Sequence, residues 1–148
     1  MNKNIEIFKE NFEIFTKTIN WLDISYKKCN KTGIKNKYTK NELEAFEALC
    51  ARFGRSIDVF INKFLRGLDI LELENIETKL DIVFRAEKRG FVDSVDDLIA
   101  MKDLRNEIVH EYLEDSIISK FDEVLKYSLQ ILMTYDKAKK YCLKKEYI

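Results

Sequence analysis

Hydrophobic residues recur at alternating spacings of three and four through most of the chain, with charged and amide side chains between them. In the first such stretch, from residue 4 to about 29, Ile5, Phe8, Phe12, Phe15, Ile19, Leu22 and Tyr26 share one stripe. That spacing predicts a long amphipathic helix packed nearly antiparallel to a neighbour, its aromatic face forming bundle core rather than a cofactor box. A second stripe, Leu43, Phe46, Cys50, Phe53, Ile57, Phe60, Phe64, Leu68 and Leu71, predicts a helix over about 41–71 with Asn41 as its N-cap. Gly54 and Gly67 interrupt it. Each suits a close helix approach, and Gly67 also suits a bend or break. Arg52, Arg55, Lys63 and Arg66 lie off this stripe and read as surface charges, with Arg52 or Arg55 able to face a cleft.

The remaining periodicity predicts three further helices. One covers about 76–89, its faces marked by Ile76, Leu80, Val83, Phe84 and Glu87, and Lys88-Arg89-Gly90 ends it. The next spans about 94–111, capped by Ser94 with Asp97 three residues on, and buries Val95, Leu98, Ile99, Met101, Leu104, Ile108 and Val109. A turn at 113–116 leads to the last, about 117–141, carrying Ile117, Phe121, Val124, Leu125, Ser128, Ile131, Leu132, Tyr135, Ala138 and Cys142. Residues 27–40 hold six lysines and no acid and read as a basic, solvated loop. The basic tail, about 142–148, is expected to fray. Neither a repeat nor a linker divides the 148 residues. The pattern predicts a single domain over 1–148, an all-α, up-down bundle of about five helices.

Composition narrows the chemistry. The chain has no proline and four glycines, unlike an all-β protein, and its 26 basic and 26 acidic residues balance. Zero net charge argues against general nucleic-acid binding. Cys29, Cys50 and Cys142 are odd in number and widely spaced. With one histidine in the chain they make neither a disulfide framework nor a zinc site, and they fit a reduced, cytoplasmic setting. No apolar run approaches the ~20 residues of a membrane span.

The one histidine, His110, stands five residues after Arg105 and two before Tyr112. Histidine is the side chain suited to proton transfer near neutral pH, and arginine to holding a phosphate. Taken alone, a helical histidine is more often structural, and an arginine near Asp103 or Glu107 is more often a surface ion pair. The joint spacing is more specific: with six arginines and seven tyrosines in 148 positions, chance gives it a frequency of ~0.002. Five helical residues rotate by about 500°, so Arg105 and His110 do not stack on one face. They could converge near the helix end or across a cleft shared by two copies.

The stretch Arg105-Asn106-Glu107-Ile108-Val109-His110-Glu111-Tyr112 resembles the R-x-x-x-x-H-x-Y motif of HepT-type toxins, in the HEPN superfamily of small helical ribonucleases. Asn106 matches the polar residue that commonly follows the arginine there. The likeness in architecture covers roughly 41–142. It is specific only over these eight residues. It implies a HEPN-like bundle and a metal-independent endoribonuclease, without cofactor, that acts on RNA as a homodimer. It also implies a MntA-like nucleotidyltransferase antitoxin that attaches AMP to Tyr112. On this resemblance His110 is the proton-transfer residue, Arg105 the phosphate clamp and Asn106 the group that orients them. Two other readings are a non-catalytic HEPN-like binding subunit of a nucleotidyltransferase and a purely structural helical adaptor.

Overall fold

The long second hydrophobic stripe becomes the helix against which the rest is built. The structure, a computed structural model, describes residues 3–75, 78–110 and 114–148. Among them are six helices and no strand. These are α1 (Lys3–Thr32), α2 (residues 40–71), α3 (Lys79–Lys88), α4 (Val95–His110), α5 (Glu114–Ile118) and α6 (Phe121–Lys144). α2 packs along α1 and also against α3, α4 and α6. None of these helices is long and apolar enough to cross a membrane.

The aromatic stripe of α1 is buried as its spacing predicts. Phe8, Phe12, Phe15, Ile19 and Leu22 are all in the core. Phe15 lies 5.0 Å from Phe64 and 5.1 Å from Tyr135, ring centre to ring centre, so one aromatic cluster joins α1, α2 and α6. A second cluster stacks Phe46 of α2 on Phe121 of α6 at 4.4 Å, with Tyr38 edge-on to both. Offset and edge-on pairs at these separations add roughly 0.5–1.5 kcal/mol each beyond area burial.

α2 does not break at Gly67. Its irregularity lies earlier, where Phe60–Leu65 forms a π-helical turn and the Arg66 N–H bonds Ile61 O, five residues back. The wider turn buries two adjacent pairs, Phe60 with Ile61 and Phe64 with Leu65, where a regular helix would present one stripe. Gly67 serves close approach instead: a Cβ there would lie 3.5 Å from both Phe8 and Asn11 of α1.

Helix ends depart from the sequence expectation where a better cap was available. α1 runs on to Thr32, so the lysine-rich stretch divides between its solvated last turns, residues 27–32, and the connection, residues 33–39. Thr39, not Asn41, caps α2. Its hydroxyl accepts from the Glu42 N–H, and the Glu42 carboxylate accepts from the Thr39 N–H at 2.8 Å, a reciprocal box that Asn41 cannot make. Thr39→Ala is expected to cost about 1 kcal/mol in a urea melt; a change under a few tenths would show that the cap is redundant.

The other boundaries shift in the same way. Thr78 caps α3 with Asp81 in a second box, and Gly90, at φ +84°, ends it as the Lys-Arg-Gly sequence suggests. α3 buries Ile82, Val83 and Ala86, whereas Leu80 and Phe84 are exposed, because α3 turns a different side to α4 and the π turn. Ile76 lies outside the described residues. Ser94 Oγ accepts from the Asp96 N–H rather than from Asp97, and Glu87 of α3 accepts from the Val95 N–H. Val109 of α4 is exposed, not buried. The turn expected at 113–116 overlaps the short α5, and the long last helix begins only at Phe121.

The basic tail is held down rather than frayed. α6 stays helical to Lys144, with Cys142 buried, and the Tyr141 and Tyr147 hydroxyls both donate to Glu72, at 2.7 and 2.9 Å. Glu72 also meets Arg89 at 2.8 Å. Arg89 in turn lies 2.7 Å from Asp69, a fully buried carboxylate that also accepts from Arg85 at 3.0 Å. This network joins the end of α2, the end of α3 and the chain's C-terminus.

Candidate functional site

Arg105 lies where α4 packs on α2 beside Gly54. A Cβ on Gly54 would sit 3.5 Å from the Arg105 Cγ, an ordinary contact, so the arginine stem lies against bare backbone. One turn further along α2, Asp58 takes the guanidinium: Nε and Nη2 both donate to its Oδ2, at 3.2 and 2.9 Å. Asn106, next in sequence, accepts from Arg105 Nη1 at 3.1 Å. Three of the five guanidinium N–H groups are thereby engaged, leaving one on each Nη nitrogen to meet a ligand. The side chain is 30% exposed.

The fork borders a cleft of about 190 Å³ between α2, α3 and α4, whose polar lining is Asp58, Asn62, Lys79, Lys102, Arg105 and Asn106. Three cations face one carboxylate, and that carboxylate is already paired. The local field therefore favours an anion, although the chain as a whole is neutral.

No protein-family model matches the chain, and comparison with curated proteins and with solved structures finds no match. The site's chemistry thus rests on its own geometry.

Of the four residues singled out by the motif, the structure brings Arg105 and Asn106 together. His110 is the last residue of α4, is exposed, and makes no hydrogen bond or ion pair with a described residue. Five residues of helix set it about 7.5 Å along the axis from Arg105 and ~140° around it. One chain alone does not aim the imidazole into the Arg105 cleft. Tyr112 lies outside the described residues.

Neither Asp103 nor Glu107 pairs with Arg105; Glu107 meets Lys120 instead, at 2.9 Å. Asp58 is the residue sequence reading missed. It lies 47 positions away, and the only local hint is Gly54, four residues earlier and so on the same helical face.

The other nucleophile candidates are silenced by burial. Desolvation pushes the Cys29 thiol up to about 11 and those of Cys50 and Cys142 to about 12, so none is a ready thiolate. Among the described residues, no three His, Cys, Asp or Glu side chains converge as metal ligands do.

Because the contact at Gly54 is not tight, Gly54→Ala is expected to be accommodated. It should raise stability by about 0.5–1 kcal/mol through helix propensity. A thermal melt showing a loss instead would mean that α4 must approach more closely than this.

Proposed function

We propose that the chain is a HEPN-type endoribonuclease of a toxin–antitoxin pair, cutting RNA through its own 2′-hydroxyl without a metal. The reading is supported chiefly by one observation. The arginine of the R-x-x-x-x-H-x-Y pattern presents two N–H groups at a cation-lined cleft, while the pattern's histidine stays accessible on the same helix.

In this mechanism a neutral imidazole takes the 2′-hydroxyl proton as the oxygen attacks phosphorus. The Arg105 fork stabilises the pentavalent phosphorane, and a protonated imidazole gives its proton to the departing 5′-oxygen. The products are a 2′,3′-cyclic phosphate and a free 5′-hydroxyl. Asp58 and Asn106 hold the guanidinium in place. One histidine per chain supplies both an acid and a base if two copies pair across a two-fold axis, so the active form is a homodimer. A MntA-like nucleotidyltransferase would silence the enzyme by attaching AMP to Tyr112, two residues from His110, where a bulky anion opposes RNA phosphate.

A second reading, a non-catalytic binding subunit of a nucleotidyltransferase, is favoured by the Arg105–Asp58 pair and the divergence of Arg105 and His110 within one chain. The deciding experiment is a cleavage assay on total RNA with chelator present, comparing unmodified wild type with His110→Ala. Cutting by wild type alone supports the nuclease. No cutting by unmodified wild type selects the binding subunit.

A further inference from the structure

Trp21 is the chain's sole tryptophan, and it is 57% exposed on α1. The Arg52 guanidinium of α2 stacks over the indole, 4.8 Å from the ring centroid. Arg52 is itself held by Nη1, which donates to Ser25 Oγ at 2.6 Å. The ring thus has a cation over one face, and more than half of the residue is exposed. Beside it lies a mostly apolar pocket of about 180 Å³ rimmed by Lys17, Arg52 and Arg55, and no carboxylate lines it. Of the acids of α1, Glu6, Glu10 and Glu13 precede this stretch, and Asp23, which follows it, is paired with Lys27.

The pocket and the Arg105 cleft lie on successive turns of α2: Arg52 and Arg55 line the first, and Ile57, Asp58, Ile61 and Asn62 the second. From Arg52 to Asn62 the helix rises about 15 Å, so a short oligonucleotide spans both. The surface between them is cationic: from residue 48 to 68, α2 carries Arg52, Arg55, Lys63 and Arg66 against one acid, Asp58, which Arg105 neutralises. Asn62 lines the Arg105 cleft and also a neighbouring groove with Lys63 and Arg66, which continues the track.

We infer that Trp21, stacked on Arg52, is a base platform for single-stranded RNA whose phosphates cross the cations of α2 into the Arg105 cleft. The inference deepens the nuclease reading by giving its substrate a strand and a path. It rests on that reading for the cleavage step only. A flat ring backed by a cation suits any base, because stacking needs a π-face and not a particular edge, and the flanking cations suit the backbone. The exposed Ile7, Ile14 and Ile24 on the same helix would also suit a partner's amphipathic helix. The carboxylate-free, cation-rimmed pocket decides for the polyanion.

The test uses the full chain carrying His110→Ala, so that a 12-nucleotide single-stranded RNA stays intact, and reads Trp21 emission directly. Saturable quenching is expected, weakening with salt. Trp21→Leu is expected to weaken binding about tenfold by anisotropy of labelled RNA, and Arg55→Ala to lower the salt slope by about one. The substituted positions are exposed, and melting curves check folding. The inference is overturned if RNA binds without changing Trp21 emission, or if Trp21→Leu binds equally well. It also falls if emission responds to protein concentration alone or to a Glu-rich amphipathic peptide in place of RNA. Wild-type cleavage separates it from the nuclease reading. Quenching without cleavage leaves the platform and removes the nuclease. Cleavage with an unchanged KM in Trp21→Leu does the reverse, and neither binding nor cleavage removes both.

Discussion

His110→Ala is expected to lower RNA cleavage by about 10²–10⁴-fold, the range for loss of a positioned proton-transfer group, with helicity and melting temperature unchanged. The second half follows from its place at the end of α4, where the imidazole is exposed and bonded to no described residue, so nothing in the core depends on it. Arg105→Lys should be damaging as well, for a different reason. Lysine keeps the charge but replaces the planar fork with a point charge, so it can answer Asp58 but not Asp58, Asn106 and a phosphate together. Because the shared cleft uses a histidine from each copy, adding excess His110→Ala chains to wild type is expected to lower cleavage below the wild-type share, as each mixed dimer holds one histidine. Wild-type cleavage by His110→Ala would remove the histidine from the mechanism, and unaltered cleavage by Arg105→Lys would remove the fork.

What the sequence disclosed and what it hid divide along a physical line. The stripes of α1, α2 and α6 were readable because helical periodicity is local and their buried faces are wide; Phe8 through Leu22 and Phe46 through Leu68 are core as their spacing requires. Short helices were harder. α3 has only ten residues, and its apolar positions Leu80 and Phe84 repeat as regularly as Ile82 and Ala86, so choosing between faces needed the neighbours. The π turn was invisible because doubled apolar residues such as Phe60-Ile61 fit an ordinary helix equally well.

At the site, Arg105 and Asn106 could be singled out by spacing, while their partner Asp58 could not, since a contact over 47 residues leaves no periodic trace. Trp21 stayed hidden for the opposite reason. It lies off the core stripe, where sequence reading expects solvated residues and asks for no explanation. The lysine-rich stretch misled only over residues 27–32, where charge density resembles a loop although it is the outer face of a helix that continues to Thr32; residues 33–39 do form the connection.

Arg89→Met is expected to destabilise the fold by about 3–5 kcal/mol, the cost of breaking a buried ion pair from one side. Asp69 is fully buried, and Arg89, only 8% exposed, is one of its two cations and also meets Glu72. Without Arg89, Arg85 still meets Asp69 Oδ2, but Oδ1, in a carboxylate with no access to water, loses its ion-pair partner. Against a total stability of roughly 5–15 kcal/mol the loss is large. Replacing Asp69 by Asn in the same chain should return part of it, because the two effects share one partner and do not add.

The network also gives the fold two pH limits. Burial alone would raise the Glu72 pKa, but the Tyr141 and Tyr147 hydroxyls and Arg89 outweigh it and hold the carboxyl below its ordinary value. Its contribution to stability is present above the unfolded value of ~4.3 and is lost as pH falls through the lower folded one. The tyrosines behave oppositely. Burial, then Glu72, pushes both up to about 12, so their contribution is full below the unfolded value of ~10 and is lost as pH rises through 12. Urea melts at neutral pH and on either side of these limits would show stability falling at both ends. A neutral-pH loss under about 1 kcal/mol in Arg89→Met would mean that Arg85 alone satisfies Asp69, and that the C-terminus is held by its aromatic contacts rather than by charge.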